Sequence, residues 1–444
     1  MNIKEKKVIV FGLGVTGKSS IKALSKLGAK VFIYDDRKYE DYKDVLSDLE
    51  EYNYEIIKNV NDVDWNSISF ILKSPGIRLD NEFIKLALEK KVKVFSDIEV
   101  AFKIWGGDNF IAVTGTNGKT TTTSMISHIL NECGIKSKVV GNIGVGILWE
   151  ILENGLDYKY VLELSSFQLS SIEEFRAKVS IITNISEDHT DWHGTFENYR
   201  DAKYSIFRNS LEDDIVILNK DDKYLQNLNI NSKKVLYFSL KDECDAYLNN
   251  EKIKVIDKEF NKNKIHLIGK HNIANTLASI LAILNLKLEF NDVVNAISTF
   301  KAIEHRIEFV SEIDGVCYYN DSKGTNTDST KVALDGFKQN VILIGGGYDK
   351  HVEFDVLFDG STNIKLLILY GATKIKMKEA AEKYNIKNII IVSDLAEAVE
   401  FAHKNAINGD TVLFSPANAS WDMYSSYEER GRHFKNLVLK YDNK

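Results

Sequence analysis

Across 444 residues, 57 Lys and Arg are outweighed by 64 Asp and Glu, a formal charge of −7. That balance argues against a nucleic-acid backbone or an anionic membrane as the main partner, yet allows small anionic substrates to bind beside local lysine clusters. Three scattered cysteines match neither a disulfide framework nor a metal-binding spacing, the N-terminus lacks a signal-peptide pattern, and no apolar run approaches the ~20 residues of a membrane span, so a cytoplasmic protein is expected.

Short apolar runs alternate with helical patterns almost throughout, which predicts an α/β protein with parallel sheets. Length alone suggests about three domains of roughly 150 residues. The first, 1–107, has strands predicted near 8–11, 30–34, 68–72 and 92–95. The second, 108–304, has them near 109–113, 160–164, 179–183 and 215–218, then a β-hairpin insertion between Cys244 and His266 and a helix near 272–284. The third, 305–444, has strands near 341–344, 366–370, 389–392 and 411–414. The first and last read as Rossmann-like and the central one as a P-loop mononucleotide-binding domain.

The first strand runs into Gly12-Leu13-Gly14-Val15-Thr16-Gly17, and Asp35 and Asp36, followed by Arg37, close the next strand about 20 residues on. This is the spacing of a dinucleotide fingerprint, with helix N-terminal amides facing a diphosphate and an acid facing a ribose hydroxyl. An NAD-dependent oxidoreductase is one reading; a βα turn merely tightened by glycine is another. Ser74-Pro75-Gly76, after a later strand of the same block, offers a second loop at the carboxyl ends of the strands. Together the loops suit a nucleotide sugar as well as NAD.

A second glycine loop, Gly115-Thr116-Asn117-Gly118-Lys119-Thr120-Thr121, follows the strand ending at Val113. The general P-loop spelling wants a glycine at the position of Val113. Lys119 still supplies a mobile charge for β- and γ-phosphates, and Thr120 or Thr121 a magnesium ligand. Glu163, at the end of another apolar run, offers the ion a carboxylate. The stretch from Asn184 to His193, with Glu187, Asp188, His189, Asp191 and His193, has the density of an ion site, although magnesium prefers oxygen to imidazole.

On these segments, with Glu163-Leu164-Ser165-Ser166-Phe167-Gln168-Leu169, Asn184, Asp188-His189 and Gly269-Lys270-His271-Asn272-Ile273-Ala274-Asn275, the chain resembles the Mur ligases, ATP-dependent amide-forming enzymes of peptidoglycan synthesis. Their loop is spelled TGTNGKT, which accounts for Val113. Folylpolyglutamate synthases share that loop and remain an alternative. The outer segments, Ser74-Pro75-Gly76-Ile77, Asn320 to Asn326, Ser415 to Ser420 and Glu429-Arg430-Gly431, are similar to the D-glutamate-adding members of the family.

That resemblance implies UDP-N-acetylmuramoyl-L-alanine and D-glutamate as substrates and an acyl-phosphate route, in a monomer. It assigns Gly14, Val15, Thr16, Gly17, Asp35, Arg37, Ser74, Pro75, Gly76 and Asn142 to the UDP-sugar. It assigns the loop from Gly115 to Thr121, with Asn275, Arg306 and Asp321, to ATP, His305 lying beside them. Lys119, Glu163, His189 and Lys203 become the catalytic group, with two magnesium ions held by Thr120, Glu163, His189 and Lys203, the last as a carbamylated lysine. Lys323, Thr325, Lys350, Ser420 and Tyr427 are implied for D-glutamate. Tyr427 stands where the family commonly has phenylalanine, and Gly324, in place of a common alanine, is expected to loosen its loop. Hinges are expected near Gly106-Gly107 and near Glu304 to Arg306.

Overall fold

The computed structural model describes residues 1–350 and 352–442, Asp191 in its backbone only. Its strands form three sheets. The first is made of β1 (Lys7–Phe11), β2 (Lys30–Tyr34), β3 (Tyr54–Ile56), β4 (Ile68–Lys73) and β5 (Lys93–Phe95), all parallel, in the order β3-β2-β1-β4-β5. Runs such as Val8-Ile9-Val10-Phe11 are buried on both faces, as a parallel sheet covered by helices on both sides demands. The chain reverses its direction of travel between β1 and β4, and such a switch point opens a crevice at the strands' carboxyl ends.

The second sheet contains β6 (Phe110–Thr114), β7 (Ser137–Gly141), β8 (Lys159–Glu163), β9 (Val179–Ile182), β10 (Ile215–Asn219), β11 (Lys234–Ser239), β12 (Ala246–Asn249), β13 (Lys252–Val255) and β14 (Lys258–Asn261). Its order is β14-β13-β12-β11-β10-β9-β6-β8-β7. The expected hairpin insertion is a three-stranded antiparallel meander, β12 to β14, extending this sheet through β11. β6 is central, so the segments leaving β8 and β9 emerge on either side of the loop that follows it.

The third sheet runs β15-β16-β20-β17-β18-β19, from β15 (Glu308–Ile313), β16 (Val316–Asn320), β17 (Val341–Gly346), β18 (Ile364–Tyr370), β19 (Ile389–Ile391) and β20 (Thr411–Phe414). Only β15 is antiparallel.

The three sheets lie in two compact units: residues 1–265 with 274–299, and residues 266–273 with 300–444. In the first unit, the two sheets share one hydrophobic core that runs from Val8 and Leu24 to Phe110 and Leu162. Helix Val15–Lys26 packs on helix Ile147–Asn154, where Lys26 lies 4.3 Å over the Trp149 ring and pairs with Glu153 at 3.0 Å. Gly107 sits so close to the Arg176 carbonyl that a Cβ there would clash.

Candidate functional site

In the first unit, Gly12 takes φ +94 at the end of β1, and Gly17 lies against the Gly12 carbonyl with no room for a Cβ. Glycine is therefore required at both positions. The Ser74 amide donates to Phe11 O at 2.9 Å and its hydroxyl to Gly12 O at 3.0 Å, which joins the 74–76 loop to the first glycine loop across the switch point. Asp35 accepts the Leu13 N–H at 2.9 Å and both Nε and Nη2 of Arg37 at 2.8 Å. Burial would raise its pKa, but those donors win and hold its carboxyl below the usual range.

Gly146 adjoins this loop: a Cβ on it would strike Ser19 Oγ and lie 3.9 Å from Thr16. Asn142, a few residues earlier, donates from Nδ2 to Glu163 Oε1 at 2.9 Å and from its backbone to Glu163 O at 2.8 Å. Asn142 thus links Glu163 to the neighbourhood of the first glycine loop.

Around the second loop, Lys119 opens helix Lys119–Glu132, and its ammonium donates to Gly115 O at 2.9 Å and Thr116 O at 2.8 Å. Lys203, 1% exposed on helix Phe196–Tyr204, donates to the same Gly115 carbonyl at 2.8 Å and lies 4.5 Å over the Tyr199 ring. Burial holds the Lys203 pKa well below the ordinary lysine value, and Lys119 lowers it further against the opposing pull of Asp188 and Glu163. The loop backbone is clamped from β9: Asn117 N–H donates to Asn184 Oδ1 at 2.9 Å, and Thr183 Oγ1 and Asn184 Nδ2 donate to Asn117 O. Tyr199 OH lies 3.0 Å from Thr116 Oγ1.

His189 has φ +50 and packs its ring 4.9 Å from Phe167, with Nε2 3.6 Å from Asp188. It and the neighbouring His193 belong to an aromatic cluster with Trp192 and Tyr199, and His193 Nε2 lies 2.9 Å from Ser166 Oγ. The Asp191 side chain lies outside the described residues. Asn275, on helix Lys270–Ile283, approaches Gly118 so closely that a Cβ at Gly118 would overlap its Oδ1.

In the second unit, Asp321 is buried, with Oδ2 accepting the Ser415 hydroxyl at 2.6 Å and Oδ1 the Ile307 amide at 3.3 Å. Burial pushes its pKa up to about 7, outweighing Ser415 and Arg306. His271 is pushed down to about 4, first by burial and then by Arg306, which leaves it neutral at pH 7. The link Glu304 to Ile307 is strained, with His305 at φ +66 and Ile307 at +44.

Among the described residues, Glu304, His305 and Glu308 are the one trio close enough to hold a metal ion. Lys435 pairs with both glutamates, and His305 Nδ1 faces Asn320 Nδ2 at 2.9 Å. Since that amide's oxygen accepts from Ser322 N–H, Nδ1 is the acceptor and Nε2 carries the proton, which makes the trio an ion-pair cluster.

Tyr348 pairs with Ala419 as an antiparallel bridge, and Lys350 lies 5.4 Å over the Trp421 ring, so Lys350 and Ser420 share one neighbourhood. Lys323 lies 5.2 Å over the Tyr427 ring, and its amide donates to His305 O. The looseness expected of Gly324 is not found. A Cβ there would fall 2.5 Å from Asp321 Oδ2 and 2.8 Å from Ser415 Oγ, so glycine permits a close approach. Tyr199 and Thr183 escaped the sequence reading, since neither carries a distinctive spacing.

Residues 6–96, 113–283 and 305–418 match family models described as "Mur ligase MurD-like, N-terminal domain", "Mur ligase middle domain" and "Mur ligase, glutamate ligase domain". Curated proteins named UDP-N-acetylmuramoylalanine--D-glutamate ligase are similar over their full length. Those of Thermoanaerobacter sp. (strain X514) and Clostridioides difficile (strain 630) are each 41% identical, with 99% of both chains covered. Among solved structures, UDP-N-acetylmuramate-alanine ligase MurC from Thermotoga maritima aligns with a TM-score of 0.62 at 19% identity, covering 99% of each chain. MurF ligase from the same organism, in complex with ADP, aligns at 0.61 and 17% identity, covering 98% of this chain and 96% of that one. At such identities the structural likeness speaks for the fold.

Proposed function

The chain belongs to the Mur ligase family, and from that premise we propose that it joins D-glutamate to UDP-N-acetylmuramoyl-L-alanine with ATP, releasing ADP and phosphate. The observation that carries this reading is the convergence of Lys119 and Lys203 on the Gly115 carbonyl, with Glu163 near enough to act on Lys203 electrostatically. Full-length similarity to ligases of that name supports it. In the three-domain division 1–107, 108–304 and 305–444, the glycine loop with Ser74, Pro75, Gly76, Asp35, Arg37 and Asn142 takes the UDP-sugar. Family membership displaces the nicotinamide reading of that loop, and the names of the relatives favour D-glutamate over folate chemistry.

A carboxylate and an amine do not condense unaided, so the alanyl carboxylate first attacks the γ-phosphorus of ATP. The acyl phosphate forms and the bond to the β-phosphate oxygen breaks, releasing ADP. The D-glutamate amine then adds to the acyl carbon, and the tetrahedral adduct collapses, expelling phosphate and losing a proton. Lys119 offsets charge on the phosphates, and the loop amides ahead of helix Lys119–Glu132 orient them. Asn142 fixes one oxygen of Glu163, while Asn275, Arg306 and Asp321 are assigned to the nucleotide.

The oxygens of Thr120 and Glu163 suit magnesium, with His189 as a further ligand, and the ion would screen the anionic oxygens brought together in phosphoryl transfer. A depressed pKa gives Lys203 the neutral amine needed to add to carbon dioxide, forming the N–C bond with loss of a proton; the resulting carbamate is a second carboxylate-like ligand. Lys323, Thr325, Lys350, Ser420 and Tyr427 are assigned to D-glutamate, whose two carboxylates suit the two lysines. The protein would act as a cytoplasmic monomer; among the described residues no helix is long and apolar enough to cross a membrane.

The test is phosphate release from ATP, expected only when UDP-N-acetylmuramoyl-L-alanine and D-glutamate are both present. Equal release with L-glutamate and a folate would overturn the reading.

A further inference from the structure

Helices Val15–Lys26 and Ile147–Asn154 meet start to start, at Ser19 and Gly146, and end to end, at Lys26 and Glu153, so they run parallel. Their far ends are clamped. Lys22 and Lys26 lie 5.9 and 4.3 Å from the Trp149 ring centre, and Trp149 meets Tyr52 edge-on at 6.0 Å. Ile147, Leu148 and Ile151 are buried in the core that also holds Leu13, Ile21 and Leu24, which keeps the second helix from sliding away.

The contact at the starts depends on Gly146. It caps helix Ile147–Asn154 with φ −62 and ψ 140, a backbone that any residue adopts, and serine, aspartate or asparagine would cap the helix as well or better. Gly141 and Gly144, earlier in the same loop, take φ +105 and +75, so conformation explains them. Gly146 answers to a neighbour instead: a Cβ there would strike Ser19 Oγ and lie 3.0 Å from Ser19 Cβ. Ser19 is held in place, 6% exposed, with its hydroxyl donating to Thr16 O at 3.0 Å. Thr16 belongs to the first glycine loop, and Asn142, at the other end of the Gly146 loop, is bound to Glu163.

We infer that Gly146 is a positioning residue: its missing side chain lets the loop from Asn142 to Gly146 close onto Ser19, and so sets the gap to the first glycine loop, across which the sugar nucleotide is proposed to bind. A methyl group at this position would part the helices at their starts while their far ends stay clamped. A ligand held by both loops loses contacts when that gap widens, because hydrogen bonds weaken steeply with distance and angle. The second glycine loop is clamped separately, by Thr183 and Asn184, and is spared. Gly146 acts through its loop and touches no substrate.

The inference rests on the proposed substrate assignment, so wild-type turnover is established first; its absence overturns the assignment, whereas variants of an active protein test Gly146. Gly146→Ala is expected to raise KM for UDP-N-acetylmuramoyl-L-alanine about tenfold, with KM for ATP within about twofold. A merely structural role would lower the active fraction, and with it kcat, without that split. In a double-mutant cycle, Ser19→Gly removes the atoms that the new methyl group strikes, so the double variant should return most of the way to the KM of Ser19→Gly alone. A wild-type KM in Gly146→Ala, an equal rise for ATP, or strictly additive substitutions overturns the inference. Should Gly146→Ala not fold, Ser19→Cys enlarges the same contact from the other helix, sulfur being bulkier than oxygen. It should raise KM for the sugar nucleotide about threefold and spare that for ATP. An unchanged value is equally fatal.

Discussion

Gly118 carries a conformational and a steric constraint at once, and the two can be separated. It caps helix Lys119–Glu132 at φ +85, and a Cβ there would overlap Asn275 Oδ1 and sit 3.3 Å from its Cγ. For Gly118→Ala, a left-handed alanine costs about 1–2 kcal/mol, and the overlap adds about 1–3 kcal/mol. A combined loss of about 3 kcal/mol would lower the Tm of a 444-residue chain by roughly 3 °C. Turning the loop amides away should also raise KM for ATP, by about tenfold or more. Asn275→Ala in the same chain removes the overlap but leaves the backbone strain, so about half the lost stability should return. The assay is a double-mutant cycle by urea unfolding, with ATP kinetics alongside. Strictly additive substitutions, or a Gly118→Ala protein with wild-type Tm and KM, would refute the reasoning.

Lys203→Ala should lose most activity and regain part of it with added short-chain carboxylic acids, measured as phosphate release; near-normal unaided turnover would contradict the carbamate assignment. Asp321 concerns stability. Its folded pKa of about 7 lies above the ordinary 3.8, so between those values the folded protein keeps a proton that the unfolded chain has released. Wild-type stability relative to Asp321→Asn should therefore fall as pH rises from about 4 to about 7, by at most about 1.4 kcal/mol per pH unit, and level off above. Urea titrations of both proteins at a series of pH values check the sign. Trp421→Ala, which removes the ring beneath Lys350, should raise KM for D-glutamate several-fold and leave KM for the sugar nucleotide unchanged in steady-state assays.

Both glycine loops, the strands before them and Glu163 at the end of its own strand were legible in the sequence. Apolar runs bounded by glycine and charge report local backbone preference directly. Short or half-exposed strands were not. β7 carries Lys138 within a five-residue run, β3 spans three residues, and β11 starts at an exposed lysine. The β15–β16 hairpin had a usable signal that went unread: Asp314-Gly315 between alternating runs is a two-residue turn. Gly324 was misread because sequence reports a glycine's freedom, whereas here the crowding of Asp321 and Ser415 explains it.

Local sequence set where the chain turns and which side chains bring charge, because these follow from neighbours a few residues away. Tertiary structure alone decided how those charges behave. Lys203 reaches Gly115 across 88 residues, and Thr122 meets Asn275 across 153. Asp97 is a buried acid, its pKa pushed up by burial, only because two sheets pack into one core. Burial and partner geometry set a pKa and a hydrogen bond, and both depend on chain segments that sequence proximity does not connect.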